Sequence, residues 1–125
     1  HGFVPAETLR ERLAGCDAFV LPAVVDAKGD TEGLGVVLLE AMTYARPVIA
    51  SAAGGIVDIV RDGRNGYLVP PGEAEALAGA ISRMMDDPAR ARALGLQGRR
   101  DAEEGFSWDA IADRLAAIYR AVAKY

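Results

Sequence analysis

Cysteine and histidine are almost missing from this chain. Cys16 is the sole cysteine, which excludes an intrachain disulfide and any metal site built on two thiolates; beside a buried strand it reads as an inert core thiol. His1 is the sole histidine and, with no partner in view, takes no role. No stretch approaches the ~18 consecutive apolar residues that a membrane-spanning helix needs. The N-terminus has neither the basic start nor the apolar run of a secretory signal, so a cytoplasmic location is expected. Positive charge is not in excess either: 18 acidic against 14 basic side chains leave a formal charge of −4, which offers no attraction to a polyphosphate backbone. Nucleic acid is not an expected partner.

What is present is an ordinary folding composition. Of 125 residues, 51% are hydrophobic and 26% charged, enough for one core. Strand-like and helical patterns alternate up to about residue 70, the mark of βα units and a parallel sheet. The expected fold class is therefore α/β, a Rossmann-like parallel sheet with flanking helices, over a single domain of residues 1–125. Residues 1–70 form its βα units, and 71–125 a helical segment. Phe3-Val4 reads as a strand end, Asp17 to Leu21 as a fully buried strand, Pro47 to Ala50 and Tyr67 to Val69 as two more. Helices are expected from about Gly35 to Ala45, over Asp58–Arg61, and from Glu73 to Met85 with Leu77, Ile81 and Met84 inward. Asp87-Pro88 should start another, and Ser107 should cap a last one, on which Trp108 and Tyr119 read as core. The abrupt start and at most four strands are expected of a piece of a longer domain.

The chemistry concentrates in Thr31-Glu32-Gly33-Leu34-Gly35-Val36-Val37-Leu38-Leu39-Glu40. Two glycines open a helix after a strand-end loop, where bare N–H groups and the helix dipole favour an anion such as phosphate. Glu40 interrupts an apolar run, and a carboxylate among buried neighbours is costly unless something hydrogen-bonds to it. Eight helical residues advance about 12 Å and rotate about 80° past two full turns, so Glu32 and Glu40 can share one flank. A diphosphate over the helix mouth would then have an acidic side chain on either side to accept hydroxyl hydrogen bonds. A nucleotide sugar has that layout. Taken singly the same residues have plainer readings: Glu32 as a carboxylate favouring the dipole, Glu40 as a polar helix edge, the glycines as a tight turn. The Arg90, Arg92, Arg99, Arg100 stretch, followed by acids, reads as a solvated face.

These residues resemble the glutamate, seven residues, glutamate motif of retaining glycosyltransferases of the two-domain GT-B architecture, in particular family four. Arg46-Pro47-Val48-Ile49-Ala50, Gly54-Gly55, Asp62-Gly63-Arg64-Asn65-Gly66-Tyr67-Leu68-Val69-Pro70 and Phe106-Ser107-Trp108 are similar to later landmarks of that family's C-terminal, donor-binding domain, in the same order. The resemblance implies that Glu32 contacts the transferred sugar and is the catalytic position. It implies that Gly33, Leu34 and Gly35 meet the sugar and distal phosphate, and that Glu40 holds the ribose hydroxyls. It implies a nucleoside diphosphate sugar as substrate, with no cofactor and no metal. The family's basic pair on the donor phosphates lies upstream of His1, and an N-terminal acceptor domain is the missing partner. Ala45 stands where the family has glycine, at a cost of roughly 1 kcal/mol if the backbone there is left-handed. Asp58 replaces a glutamate.

The expected function is thus donor binding within a hexosyl-type transferase of glycan or lipopolysaccharide-type biosynthesis, peripheral to the membrane in the full-length enzyme, the isolated chain being inactive. The alternative, from another class, is a non-catalytic α/β interaction module that forms a homodimer through an open sheet edge or its apolar last helix.

Overall fold

The computed structural model describes residues 2–31 and 35–123. Its elements run α1 (Ala6–Gly15), β1 (Phe19–Leu21), α2 (Val36–Thr43), β2 (Val48–Ser51), α3 (Ile56–Ile59), β3 (Tyr67–Val69), α4 (Ala74–Asp86), α5 (Pro88–Phe106) and α6 (Trp108–Val122). The strands form one parallel sheet in the order β1-β2-β3. Phe19, Val20 and Leu21 pair with Val48, Ile49 and Ala50; Ile49, Ala50 and Ser51 pair with Tyr67, Leu68 and Val69. The α/β reading therefore holds, with helices alone following β3.

Burial follows position in the sheet. β2 is buried along its whole length because it has a neighbour on each side, whereas β1 is only half-buried. Asp17 to Leu21 was expected to be fully buried; among the described residues β1 is an edge strand, paired on one side only. Phe3-Val4 forms no strand, and Phe3 is wholly exposed; no neighbouring strand among the described residues is there to take its hydrogen bonds. One core cluster packs Leu38, Ala41, Met42 and Ile56 against one sheet face, and a second packs Ile49, Tyr67, Ala80, Met84 and Leu94 against the other. Ile81, expected inward on α4, is instead exposed, and Ala80 takes the buried place.

Local rules set the helix ends. Asp87 Oδ1 accepts from the Arg90 N–H at 2.9 Å, and Pro88 follows as the first helical residue, a cap worth about 1 kcal/mol. Ser107 Oγ accepts from the Ala110 N–H at 3.2 Å and so separates α5 from α6. At the end of α2 the Ala45 N–H donates to the Met42 carbonyl and the Arg46 N–H to the Ala41 carbonyl. That pair of bonds is a Schellman closure, which requires a left-handed residue; Ala45 supplies it with φ of 54°.

α5 lies directly on α2. A Cβ on Gly95 would stand 2.2 Å from the Ala45 carbonyl oxygen, and one on Gly98 would stand 3.2 Å from Met42 Cγ; only bare backbone allows so close an approach. The far end of α5 is tied to the turn before β3 through Asp101. This carboxylate accepts from Asn65 Nδ2 at 2.8 Å, Gln97 Nε2 at 2.8 Å and Arg64 Nη2 at 3.3 Å. Asn65, itself buried, also donates to the Ile59 carbonyl and accepts from the Arg61 N–H. Its amide is thus satisfied, as a buried polar group must be.

α6 departs from expectation. Trp108 and Tyr119 read as core from their spacing, but no residue of α6 is buried and Trp108 is 86% exposed. The helix is amphipathic and touches α5, but Ile111, Leu115, Ile118 and Val122 of its apolar stripe all stay exposed.

Candidate functional site

In an open parallel sheet the loops at the carboxyl ends of the strands face the ligand. Among the described residues such loops are 22–31 after β1, 52–55 after β2 and 70–73 after β3. Between them lies a mostly apolar cavity of about 190 Å³ lined by Pro22, Val24, Ser51, Val69, Gly72 and Leu77.

Gly35 starts α2, and its backbone demands its identity. It is buried with φ of 73°, and a Cβ would sit 3.1 Å from Leu38 Cδ1 and 3.3 Å from Ile56 Cγ1. Leu21, Leu38 and Ile56 form the floor beneath it. Having no side chain, Gly35 offers no cap to the first-turn N–H groups of α2, and the first turn of that helix carries no acidic residue. The Leu38 N–H donates to the Gly35 carbonyl, and no carboxylate in the helix's own first turn opposes the positive end of the dipole.

Glu40 lies five residues along the same helix, about 7.5 Å further on. It is exposed, contrary to the expectation of a carboxylate among buried neighbours. The apolar run around it is real, but Leu38, Ala41 and Met42 take the inward face and the helix turns Glu40 outward. No burial penalty attaches to it. Glu32, Gly33 and Leu34, the remaining predicted site residues, lie outside the described residues.

The loop leading to them is ordered by Asp26. Its Oδ1 accepts from the Lys28 N–H at 2.8 Å and from the Asp30 N–H at 2.9 Å. Its backbone N–H donates to the Asp30 carbonyl, and its carbonyl accepts from the Gly29 N–H. In the sequence this stretch reads only as a strand-end loop, with no role for Asp26. The available signal was an Asp three residues before a Gly, the composition of a side-chain-closed turn.

Two other cavities lie away from this edge. A larger one, about 510 Å³, opens at the opposite end of the strands and is lined by Asp17, Arg46, Pro47, Met85 and Arg92 among others. Size alone would favour it, but strand polarity places ligand chemistry at the other edge. The third surrounds the Asn65–Asp101 network, whose groups already satisfy one another. Among the described residues no three His, Cys, Asp or Glu side chains gather to hold a metal ion, and no helix is long and apolar enough to cross a membrane.

Comparison with known proteins agrees with this fold. The family model described as glycosyl transferases group 1 matches residues 1–101. The chain is 42% identical to alpha-maltose-1-phosphate synthase of Mycolicibacterium smegmatis over 125 residues, 95% of this chain and 31% of that protein. Among solved structures, sucrose-phosphate synthase from Thermosynechococcus elongatus superposes with a TM-score of 0.79 at 38% identity, over 99% of this chain and 30% of that one. HepE of Anabaena, solved in complex with UDP-glucose, superposes with a TM-score of 0.72 at 29% identity, over 87% of this chain and 29% of that one. The chain therefore spans about 30% of the length of the proteins it matches.

Proposed function

The chain belongs to the glycosyl transferases group 1 family, and from that premise we propose that it is the donor-binding part of a retaining, GT-B glycosyltransferase using a nucleoside diphosphate sugar. The transferred group is a hexosyl residue, and the pathway class is glycan or lipopolysaccharide-type biosynthesis. The observation that carries the reading is α2 itself: a side-chain-free, left-handed Gly35 at its mouth and an exposed Glu40 on its flank. The likeness to a transferase solved with UDP-glucose supports the donor class.

In this reading the diphosphate lies over the first turn of α2, where uncapped N–H groups and the dipole oppose its charge. Glu40 accepts hydrogen bonds from the ribose hydroxyls, and Glu32 from hydroxyls of the sugar, with Gly33 and Leu34 presenting backbone between them. Glu40 is exposed on the helix flank, where its carboxylate can be reached by a ligand. Bond cleavage leaves a diphosphate whose charge the helix end stabilises, an electrostatic contribution in place of a metal ion. The anomeric configuration is retained. The acceptor site and the basic groups on the phosphates come from the portion of the full-length protein outside this chain. The 125 residues alone bind donor weakly and do not turn it over. Family membership does not favour the self-associating module.

Titration calorimetry with UDP, GDP and ADP tests the reading. Glu40→Ala should remain folded and lose roughly tenfold in affinity for the preferred nucleotide, the 1–2 kcal/mol of a charge-assisted hydrogen bond pair. Unchanged affinity removes Glu40 from the site, and sugar transfer by the isolated chain removes the dependence on the rest of the protein.

A further inference from the structure

We infer that the cavity at the carboxyl edge of the sheet is an additional subsite for the acceptor, taking a compact, uncharged apolar group that bears one hydrogen-bonding oxygen. The inference rests on the donor reading above and extends it to the second reactant. The cavity measures about 190 Å³. Roughly 150 Å³ of apolar space is enough for a benzene molecule, so one six-membered ring with a small substituent fits. Pro22, Val69, Pro70 and Leu77 give it carbon walls, and Ser51 supplies the polar atom. Ser51 ends β2 and is only 3% exposed, yet its hydroxyl has no hydrogen-bond partner among the described residues. Nor is that oxygen sealed in, because every sealed polar side-chain atom among the described residues has a partner; it opens on the cavity. A buried hydroxyl left unpaired costs free energy, and a ligand oxygen at this spot removes that cost.

The lining decides which part of the reactants belongs there. Glu73 stands on the rim and Glu75 follows in the first turn of α4, so a diphosphate meets negative charge. A hexose ring buried here would turn most of its hydroxyls toward carbon, with Ser51 to bond only one of them. The nucleoside lies on the other side of the sheet. Successive side chains of a strand point to opposite faces: Leu21 lies beneath Gly35 on the α2 side, while Pro22, the next residue, lines the cavity on the α4 side. Ala50 and Ser51 divide in the same way, Ala50 packing in the cluster of Leu38 and Ser51 facing the cavity with Leu77. A ribose held by Glu40 on α2 keeps its base on the α2 side. Of the two reactants, only the acceptor is left to fill the cavity. The helix mouth and the cavity share the last residues of β1 and stand about one packed layer apart, on the order of 10 Å. A group joined directly to the reacting unit of the acceptor therefore reaches the cavity while transfer takes place over α2.

The test uses the full-length transferase and fluorine NMR titration with 4-fluorophenol and its isostere 4-fluorotoluene, which lacks the oxygen. 4-Fluorophenol should bind saturably. Ser51→Ala should weaken it about fivefold, the worth of one hydrogen bond, and leave 4-fluorotoluene at the parental affinity. Val24→Trp fills the mouth of the cavity from a residue that is 58% exposed and so outside the core. It should weaken both ligands by about tenfold or more, and it decides the matter should Ser51→Ala fail to fold. A saturating nucleotide sugar, found by screening UDP-glucose, GDP-mannose and ADP-glucose, should leave the 4-fluorophenol affinity unchanged. Phenyl glucoside, whose glycosidic oxygen accepts from the Ser51 hydroxyl, should displace 4-fluorophenol, and methyl glucoside should not. Parental affinities in Ser51→Ala and Val24→Trp overturn the inference, as does equal weakening of both fluorinated ligands in Ser51→Ala. Displacement by the nucleotide sugar, a phenyl glucoside that fails to compete or a methyl glucoside that competes as well overturns it too. Nucleotide-sugar binding without 4-fluorophenol binding sinks the inference alone, whereas failure of all three nucleotide sugars to bind sinks the donor reading and the inference with it.

Discussion

Ala45 occupies a backbone conformation that alanine adopts only at a cost. Its φ of 54° is the only positive value at a non-glycine position among the described residues, and the Schellman closure of α2 holds it there. Ala45→Gly should therefore stabilise the chain by up to about 1 kcal/mol, seen as a higher midpoint in urea with an unchanged slope. Destabilisation would mean that the methyl group packs better than its backbone strains. The Ala45 carbonyl is also the wall that Gly95 meets. A methyl on Gly95 would overlap it at 2.2 Å, so Gly95→Ala should cost about 1–3 kcal/mol by forcing α5 off α2, measured the same way. Gly35 shows what was legible at this scale: a glycine at a helix mouth announces a bare backbone. Glu40 shows what was not, because an apolar run in one dimension does not say which residue of the run faces out.

The elements that carry the site are short, and α5 braces them. α2 has only eight residues, below the length at which an isolated helix persists in water, so its position depends on what packs against it. α5 supplies that support through Gly95 and Gly98, and the Asp101 cluster pins its far end. Burial tends to raise the Asp101 pKa, but hydrogen bonds from Gln97 and Asn65 and the Arg64 guanidinium together hold it below its ordinary value of 3.8. A carboxylate whose folded value is lowered adds stability that is fully present above its unfolded value and is lost as pH falls through the folded one. The acid limb of the stability curve, at and below about pH 4, should therefore carry an Asp101 component. Asp101→Ala should flatten that component and lower stability at neutral pH by about 1–3 kcal/mol, since it leaves one of the two amide N–H groups of buried Asn65 without an acceptor. Urea titrations at several pH values test both effects, and an acid limb of unchanged steepness would deny Asp101 the role. In the sequence Asp101 is one of the acids that follow the arginines of a solvated helix face. Its partner Asn65 lies 36 residues away, beyond any local pattern.

For the molecule as a whole, the instructive element is α6. Its apolar residues recur at three and four, which fits a helix that buries one face, yet none of them is buried here. Trp108→Ala should accordingly change the stability of this chain by no more than about 0.5 kcal/mol, against the 3–5 kcal/mol that a core tryptophan would cost. Thermal or urea unfolding of the variant reads the difference directly, and a core-sized loss would place Trp108 inside. The chain spans about 30% of its relatives' length, and periodicity records that a helix has an apolar face without recording what meets it.

Taken alone, the sequence determined the alternation of strand and helix, the parallel sheet, the capping of α5 and α6 and the family. Each of these rests on residue type and spacing within a few turns of chain. Only the tertiary structure decided that Glu40 points outward, that β1 is an edge strand, that Asn65 meets Asp101, and that α6 lies bare. Those outcomes depend on which surfaces meet across dozens of residues, and burial is a property of the assembled neighbourhood, not of the segment being buried.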